Sequence, residues 1–280
     1  MKVKEMYCMV LMAVVTALLV ATVPGPAAVT ITDESIESSA KSSYVFKNFL
    51  QDDAVTVKSM DGVVTLTGTV AEDSHKSLAQ ETLANLPGVK SVDNQLEVKG
   101  ESAAENSDTW ITMKVKTALF FHKNVSAMTE VNTKDGIVTL QGDATSQAQK
   151  DLTTELVKDV VGVADVQNEM KVSDAAMKTA EKTIGQKMSN VGEVIDDSSI
   201  TALVKMTLLY HRSTSALDTK VVTTNGQVTL EGKAGNAAEK ALVTKYVQDV
   251  HGVNTVVNNM TVEKPITVKK PKSKKKIEGC

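Results

Sequence analysis

Aromatic residues are scarce in this chain: one Trp, four Tyr and four Phe in 280 residues. A core built on large rings is therefore excluded, and packing must rest on aliphatic side chains. The two cysteines, Cys8 and Cys280, exclude a disulfide framework. No Cys/His spacing resembles a zinc site, and the four histidines (His75, His122, His211, His251) show no ligand spacing. Five Pro and 15 Gly exclude a collagenous or proline-rich chain. No GxSxG, phosphate loop or HExxH occurs, so no catalytic residue, metal or cofactor is expected. The apolar run Cys8–Val23 falls short of the roughly 20 residues that span a bilayer as a helix.

What is present begins with charge. The net charge of −3 hides an asymmetry, because Glu263–Cys280 holds seven Lys against two Glu and leaves the rest of the chain acidic. An acidic body argues against nucleic acid, whose phosphates need a basic face. The Lys269–Lys276 run reads as a solvated tail or as a contact for phospholipid headgroups. At the other end, Lys2 and Lys4 precede the apolar run, Pro24-Gly25-Pro26 breaks it, and Ala27 and Ala28 follow. That pattern predicts a secretory signal over 1–27, cleaved near Ala27, with an uncleaved anchor as the alternative. Cys8 precedes the run and is wrongly placed for lipoprotein acylation.

The rest of the chain contains one unit three times. Asp61–Gly68 (DGVVTLTG), Asp135–Gly142 (DGIVTLQG) and Asn225–Gly232 (NGQVTLEG) align without gaps. One constant spacing carries Gly62, Gly136 and Gly226 onto Gly88, Gly162 and Gly252, each inside a second shared block: PGVKSVDN, VGVADVQN and HGVNTVVN. Asp-Gly or Asn-Gly between β-branched runs predicts a hairpin with a type I′ turn, which wants φ > 0 at both positions. Val55/Val57, Val131/Thr133 and Val221/Thr223 alternate as first strands, and Val64/Leu66, Val138/Leu140 and Val228/Leu230 as second strands. A helical period follows, and Gly88, Gly162 and Gly252 stand where its C-terminal left-handed residue belongs. Third strands alternate over Val92–Val98, Val166–Val172 and Val256–Val262. Asn94, Asn168 and Asn258 on these strands read as hydrogen-bonded structural residues. A helix precedes each hairpin, with Asp108 and Asp197 near N-cap positions and His122 and His211 near the C-terminus, where an imidazole satisfies the dipole.

The predicted fold class is α+β: three tandem α-β-β-α-β domains, each with two helices on one face of a three-stranded mixed sheet. The domains are expected over 33–99, 107–172 and 197–262. Gly100–Ser107 is a short polar linker, 173–196 a partly helical connector, and 263–280 the basic tail. So small a core is marginal alone, so neighbouring units or a partner surface are expected to add stability.

The DGxVTLxG and GVxxVxN blocks in this order resemble the BON domain, named for bacterial osmotically inducible and nodulation proteins. The openings Asp108–Lys116 and Asp197–Lys205 match that family as well, whereas unit one departs at Asp33–Lys41. The resemblance implies export to the periplasm, association with phospholipid or other envelope components, induction by osmotic or envelope stress, and no enzymatic activity.

The helical wheel adds one lead. In unit two, Ile111, Val115, Ala118 and Leu119 face the sheet, while Trp110, Met113, Thr117, Phe120 and Phe121 form a separate arc flanked by Lys114 and Lys116. Apolar rings beside lysines suit an anionic membrane interface, and the resemblance implies lipid contact at Trp110. Unit three carries a related arc of Ala202, Leu203, Met206, Leu209 and Tyr210, whereas unit one has serines there. The opposing reading is that these arcs pack on each other or on the connector. The expected partners are an anionic phospholipid membrane or envelope proteins; a chaperone-like binder of unfolded exported proteins is the alternative function. Oligomeric state is left open.

Overall fold

At the three hairpins, the pairs Asp61-Gly62, Asp135-Gly136 and Asn225-Gly226 all take left-handed backbone, with φ of 51° and 79°, 53° and 76°, and 50° and 73°. Both central positions of the expected turn are thus in place. The computed structural model describes residues 31–100, 103–125, 129–173, 195–214 and 219–263. The export segment, most of the connector and nearly all of the basic tail lie outside the described residues.

The first repeat runs α1 (Asp33–Ser42), α2 (Tyr44–Asn48), β1 (Ala54–Met60), β2 (Val63–Val70), α3 (Asp73–Ala84) and β3 (Ser91–Val98). The second runs α4 (Asp108–Phe121), β4 (Glu130–Lys134), β5 (Ile137–Gln141), β6 (Asp143–Ala144), α5 (Gln147–Lys158), β7 (Asp165–Asn168) and β8 (Lys171–Val172). The third follows the same order: α6 (Asp197–Tyr210), β9 (Lys220–Thr224), β10 (Gln227–Glu231), β11 (Lys233–Ala234), α7 (Ala237–Asp249), β12 (Thr255–Asn258) and β13 (Thr261–Val262). The fold class is α+β, with small mixed sheets.

In each repeat the hairpin strands pair antiparallel and the third strand lies parallel to the second. The register is common to all three: Val63 faces Ser91, Ile137 faces Asp165 and Gln227 faces Thr255. Alternation then sends Val64 and Leu66, Val138 and Leu140, and Val228 and Leu230 into the cores, all fully buried. The second helices close those cores with Leu78 and Leu83, Leu156 and Val157, and Val243 and Val247.

Two sets of polar residues lock the repeats. The side-chain amides of Asn94, Asn168 and Asn258 donate to the carbonyls of Lys76, Lys150 and Lys240, tying each third strand to the second helix at 3.0–3.1 Å. Asp108 and Asp197 stand next to the N-caps, near which they are expected. The N-caps are Ser107 and Asp196, and the aspartates stand in the first helical turn. From there each carboxylate accepts two backbone N–H groups of the hairpin turn, 2.7–2.9 Å away, and Asp33 does the same in the first repeat. Gly136 and Asp135 donating to Asp108 hold its carboxyl below the usual carboxylate range.

Unit one departs where its sequence does. Its first helix breaks at Ser43, whose hydroxyl caps α2. The break is held from the third repeat: Asp196 accepts the Tyr44 N–H at 2.8 Å, and Ser199 Oγ accepts the Val45 N–H at 3.1 Å.

Candidate lipid-facing helix and the seams around it

Helix α4 starts at the Ser107 cap and presents Ile111, Val115, Ala118 and Leu119 to its own sheet, all buried. The expected second arc divides in two. Trp110, Met113, Thr117 and Phe120 follow helical spacing along an edge that is half-buried or open, with Phe120 47% exposed and Lys116 exposed one turn before it. Phe121 and Lys114 turn inward.

Phe121 is fully buried, which corrects its place on an outward arc. It lies 5.7 Å, centroid to centroid, from Phe49 of the first repeat and 6.2 Å from Tyr210 of the third. Phe49 also meets Phe120 edge-on at 4.8 Å and Tyr44 at 6.2 Å. Most of the few rings this chain owns thus gather where three repeats meet. Lys114 stands over Trp110 with Nζ 3.9 Å from the ring centroid, and 4.9 Å from that of Tyr210. Burial pulls the Lys114 ammonium below the ordinary lysine range, with Glu105 opposing. Burial likewise pushes the Tyr210 phenol up, helped by Glu72. A cavity of about 230 Å³ beside these rings is bounded by Glu72, Asp73 and Ser74 across from Trp110 and Met113.

The related arc on α6 has a different fate. Ala202, Leu203, Met206 and Tyr210 are buried, and only Leu209 remains open, at 47%. The helix packs against β9 and α7 of its own repeat, α3 of the first and α4 of the second. Lys205 reaches Glu81 on α3 at 2.8 Å. The arcs therefore serve largely as interdomain contacts.

A second seam joins repeats two and three through the ends of their helices, and its bonds come in matched pairs. Lys123 N–H donates to Asp249 O and Arg212 N–H to Asp159 O, at 2.9 and 2.8 Å. His251 N–H donates to Phe121 O and Val161 N–H to Tyr210 O, at 3.0 and 2.9 Å. His122 and His211 are the helix C-caps, as their positions suggest, but their rings cross to the other repeat. His122 Nδ1 lies 3.0 Å from Asp249, and the two Nε2 atoms lie 3.4 Å apart. Sequence reasoning missed this pairing. The only signal was that both histidines hold one position in their units. Beside the seam, a groove of about 830 Å³ runs between α5 and α7, with Leu152, Leu156, Leu242 and Tyr246 among its lining.

Among the described residues, no group of three or more His, Cys, Asp or Glu is placed to hold a metal ion. No described helix is long and apolar enough to cross a membrane. The geometry is that of a repeat protein whose surfaces are seams and stripes. The BON domain family model matches residues 32–100, 107–174 and 196–264, and the chain belongs to that family. It is 30% identical over 198 residues to osmotically-inducible protein Y of Escherichia coli K12, covering 70% of this chain and 92% of that one. It is also 30% identical over 165 residues to the outer membrane lipoprotein DolP of Haemophilus influenzae, covering 55% and 82%. A 21 kDa hemolysin of Actinobacillus pleuropneumoniae is 31% identical over 123 residues, covering 44% and 56%.

Proposed function

We propose that this chain is a non-enzymatic periplasmic protein that binds anionic phospholipid at an envelope surface and supports the envelope under osmotic stress. The printed names of two relatives, one osmotically inducible and one an outer membrane lipoprotein, support the setting. The observation that carries lipid contact is the open edge of α4, where the half-exposed Phe120 ring lies one turn from the exposed Lys116. A ring that inserts and an ammonium that meets a headgroup phosphate are the two elements an interfacial helix needs. Trp110 and Met113 continue that edge, while Phe121 and Lys114 serve the interdomain packing behind it.

Flotation with phosphatidylglycerol and phosphatidylcholine vesicles tests this reading. The protein is expected to float with the first and not the second. Phe120→Glu should weaken that binding about tenfold, the worth of half a buried ring, with only a small loss of thermal stability from its edge contact with Phe49. Absence of flotation with either vesicle would sink the proposal.

The groove between α5 and α7 favours a second reading, capture of unfolded exported proteins on its apolar lining. Suppression of client aggregation without vesicles, weakened by Tyr246→Ala, would mark that reading.

A further inference from the structure

The seam between repeats two and three carries a feature that neither reading uses. His122 and His211 have no exposed side-chain surface and meet head to head. Asp249 accepts from His122 Nδ1 at 3.0 Å, which fixes the proton there and leaves His122 Nε2 as a bare acceptor. A neutral His211 then has two choices. With its proton on Nε2 it bonds His122, and Nδ1 faces the Asp159 carboxylate at 3.6 Å with no hydrogen bond. With its proton on Nδ1, two bare nitrogens oppose each other. A single added proton on His211 would point Nδ1–H at Asp159, but the 3.6 Å gap is beyond hydrogen-bond reach and the charge would sit on a ring with no exposed surface. Charging both rings is worse still, since two N–H groups and two positive charges would then meet out of water.

The groups that might neutralise such charge are already engaged. Asp159 accepts from the Tyr246 hydroxyl at 2.9 Å and from Ser213, with the Arg212 guanidinium 3.9 Å away. Asp249 also accepts from the Asn124 amide. Lys123 Nζ is turned to Val253 O, Glu155 lies toward Tyr246, and the Tyr246 ring stacks on His211 at 4.2 Å.

We propose that the His122–His211 contact is an acid-sensitive latch: it holds repeats two and three together while the His211 imidazole is uncharged, and protonation of His211 opens the seam. Burial, and then the neighbouring His122, depress the His211 imidazole to about 3. An imidazole freed into water titrates near 6.5. The open seam therefore binds a proton that the closed one refuses, so closure is favoured above about pH 6.5 and is lost progressively as pH falls toward 3. The same linkage makes the opening constant rise roughly a hundredfold between pH 7.5 and 4.5. Because Asp159, Tyr246 and Asp249 also line the groove between α5 and α7, the groove changes shape with the latch.

The test is hydrogen exchange of the Val161 and His251 amides, which bond across the seam. Ala164 and Asn254, which bond within their own repeats, are the internal standard. In the native protein, seam protection relative to that standard should fall roughly a hundredfold between pH 7.5 and 4.5, and His211→Asn should remove most of the fall. An unchanged ratio in the native protein, or an equal fall in His211→Asn, overturns the proposal. Should the variant fail to close at pH 7.5, NMR titration of the His211 ring in the native protein decides. A depressed midpoint supports the latch and an ordinary one near 6.5 ends it.

Discussion

Helices α4 and α6 hold the same place in their repeats and share the pattern Asp-x-x-Ile-Thr-x-x-Val-Lys, yet one keeps an open edge and the other is almost wholly enclosed. The difference lies in a few side chains. Where α4 has Trp110, α6 has Ser199, whose small hydroxyl receives the Val45 N–H of the first repeat. Lys114 on α4 answers to Leu203 on α6, and Leu203 is fully buried. Lys116 stays in solvent, while its counterpart Lys205 is paired with Glu81. Within a repeat, the sheet-facing stripe fixes the fold. The opposite stripe decides which neighbour is admitted.

The largest expected effect breaks the symmetry between Phe120 and Phe121. Phe121→Ala should lower stability by about 3–5 kcal/mol, as for a ring removed from a packed junction, while Phe120→Ala should cost well under that. Chemical denaturation of the two variants reads the contrast, and equal losses would place both rings in one environment. Next comes Ser199→Ala, which leaves the Val45 N–H without its acceptor and should cost about 1–3 kcal/mol. The same change at Ser107, an N-cap on the more open helix, should cost about 1 kcal/mol. The smallest is Lys205→Ala. Its pair with Glu81 is about one third exposed on each side, so thermal unfolding should register only about 0.2–1 kcal/mol.

Much of each repeat is legible in the sequence because its signals are local. Asp-Gly and Asn-Gly name the hairpins, alternation sets the register, and Asn94, Asn168 and Asn258 mark where strand meets helix. The candidate edge was read from the wheel, which gives an angle and not a neighbour. Phe120 and Phe121 stand about 100° apart at two places on one arc; both meet Phe49, and only the arrival of Tyr210 on Phe121 separates their fates. In the same way Asp196 reads as a helix cap, which it is. Nothing local shows that it also holds the Tyr44 N–H of a repeat far upstream. Burial raises the Asp196 pKa, yet the hydrogen bonds from Ser198, Tyr44 and Ser199 outweigh it and keep the group below the ordinary carboxylate range. That carboxylate is one side chain serving two domains.

Helix α6, sheathed by elements of all three repeats, has a consequence for how the chain comes apart. Domains that merely follow one another melt as independent beads, each with its own midpoint. Here the first and second repeats both rest on a helix that neither encodes, so loosening α6 withdraws support from both at once. The expected melt is one cooperative transition. A chain cut before Asp197 should lose stability in the two repeats it retains as well as the repeat it has lost.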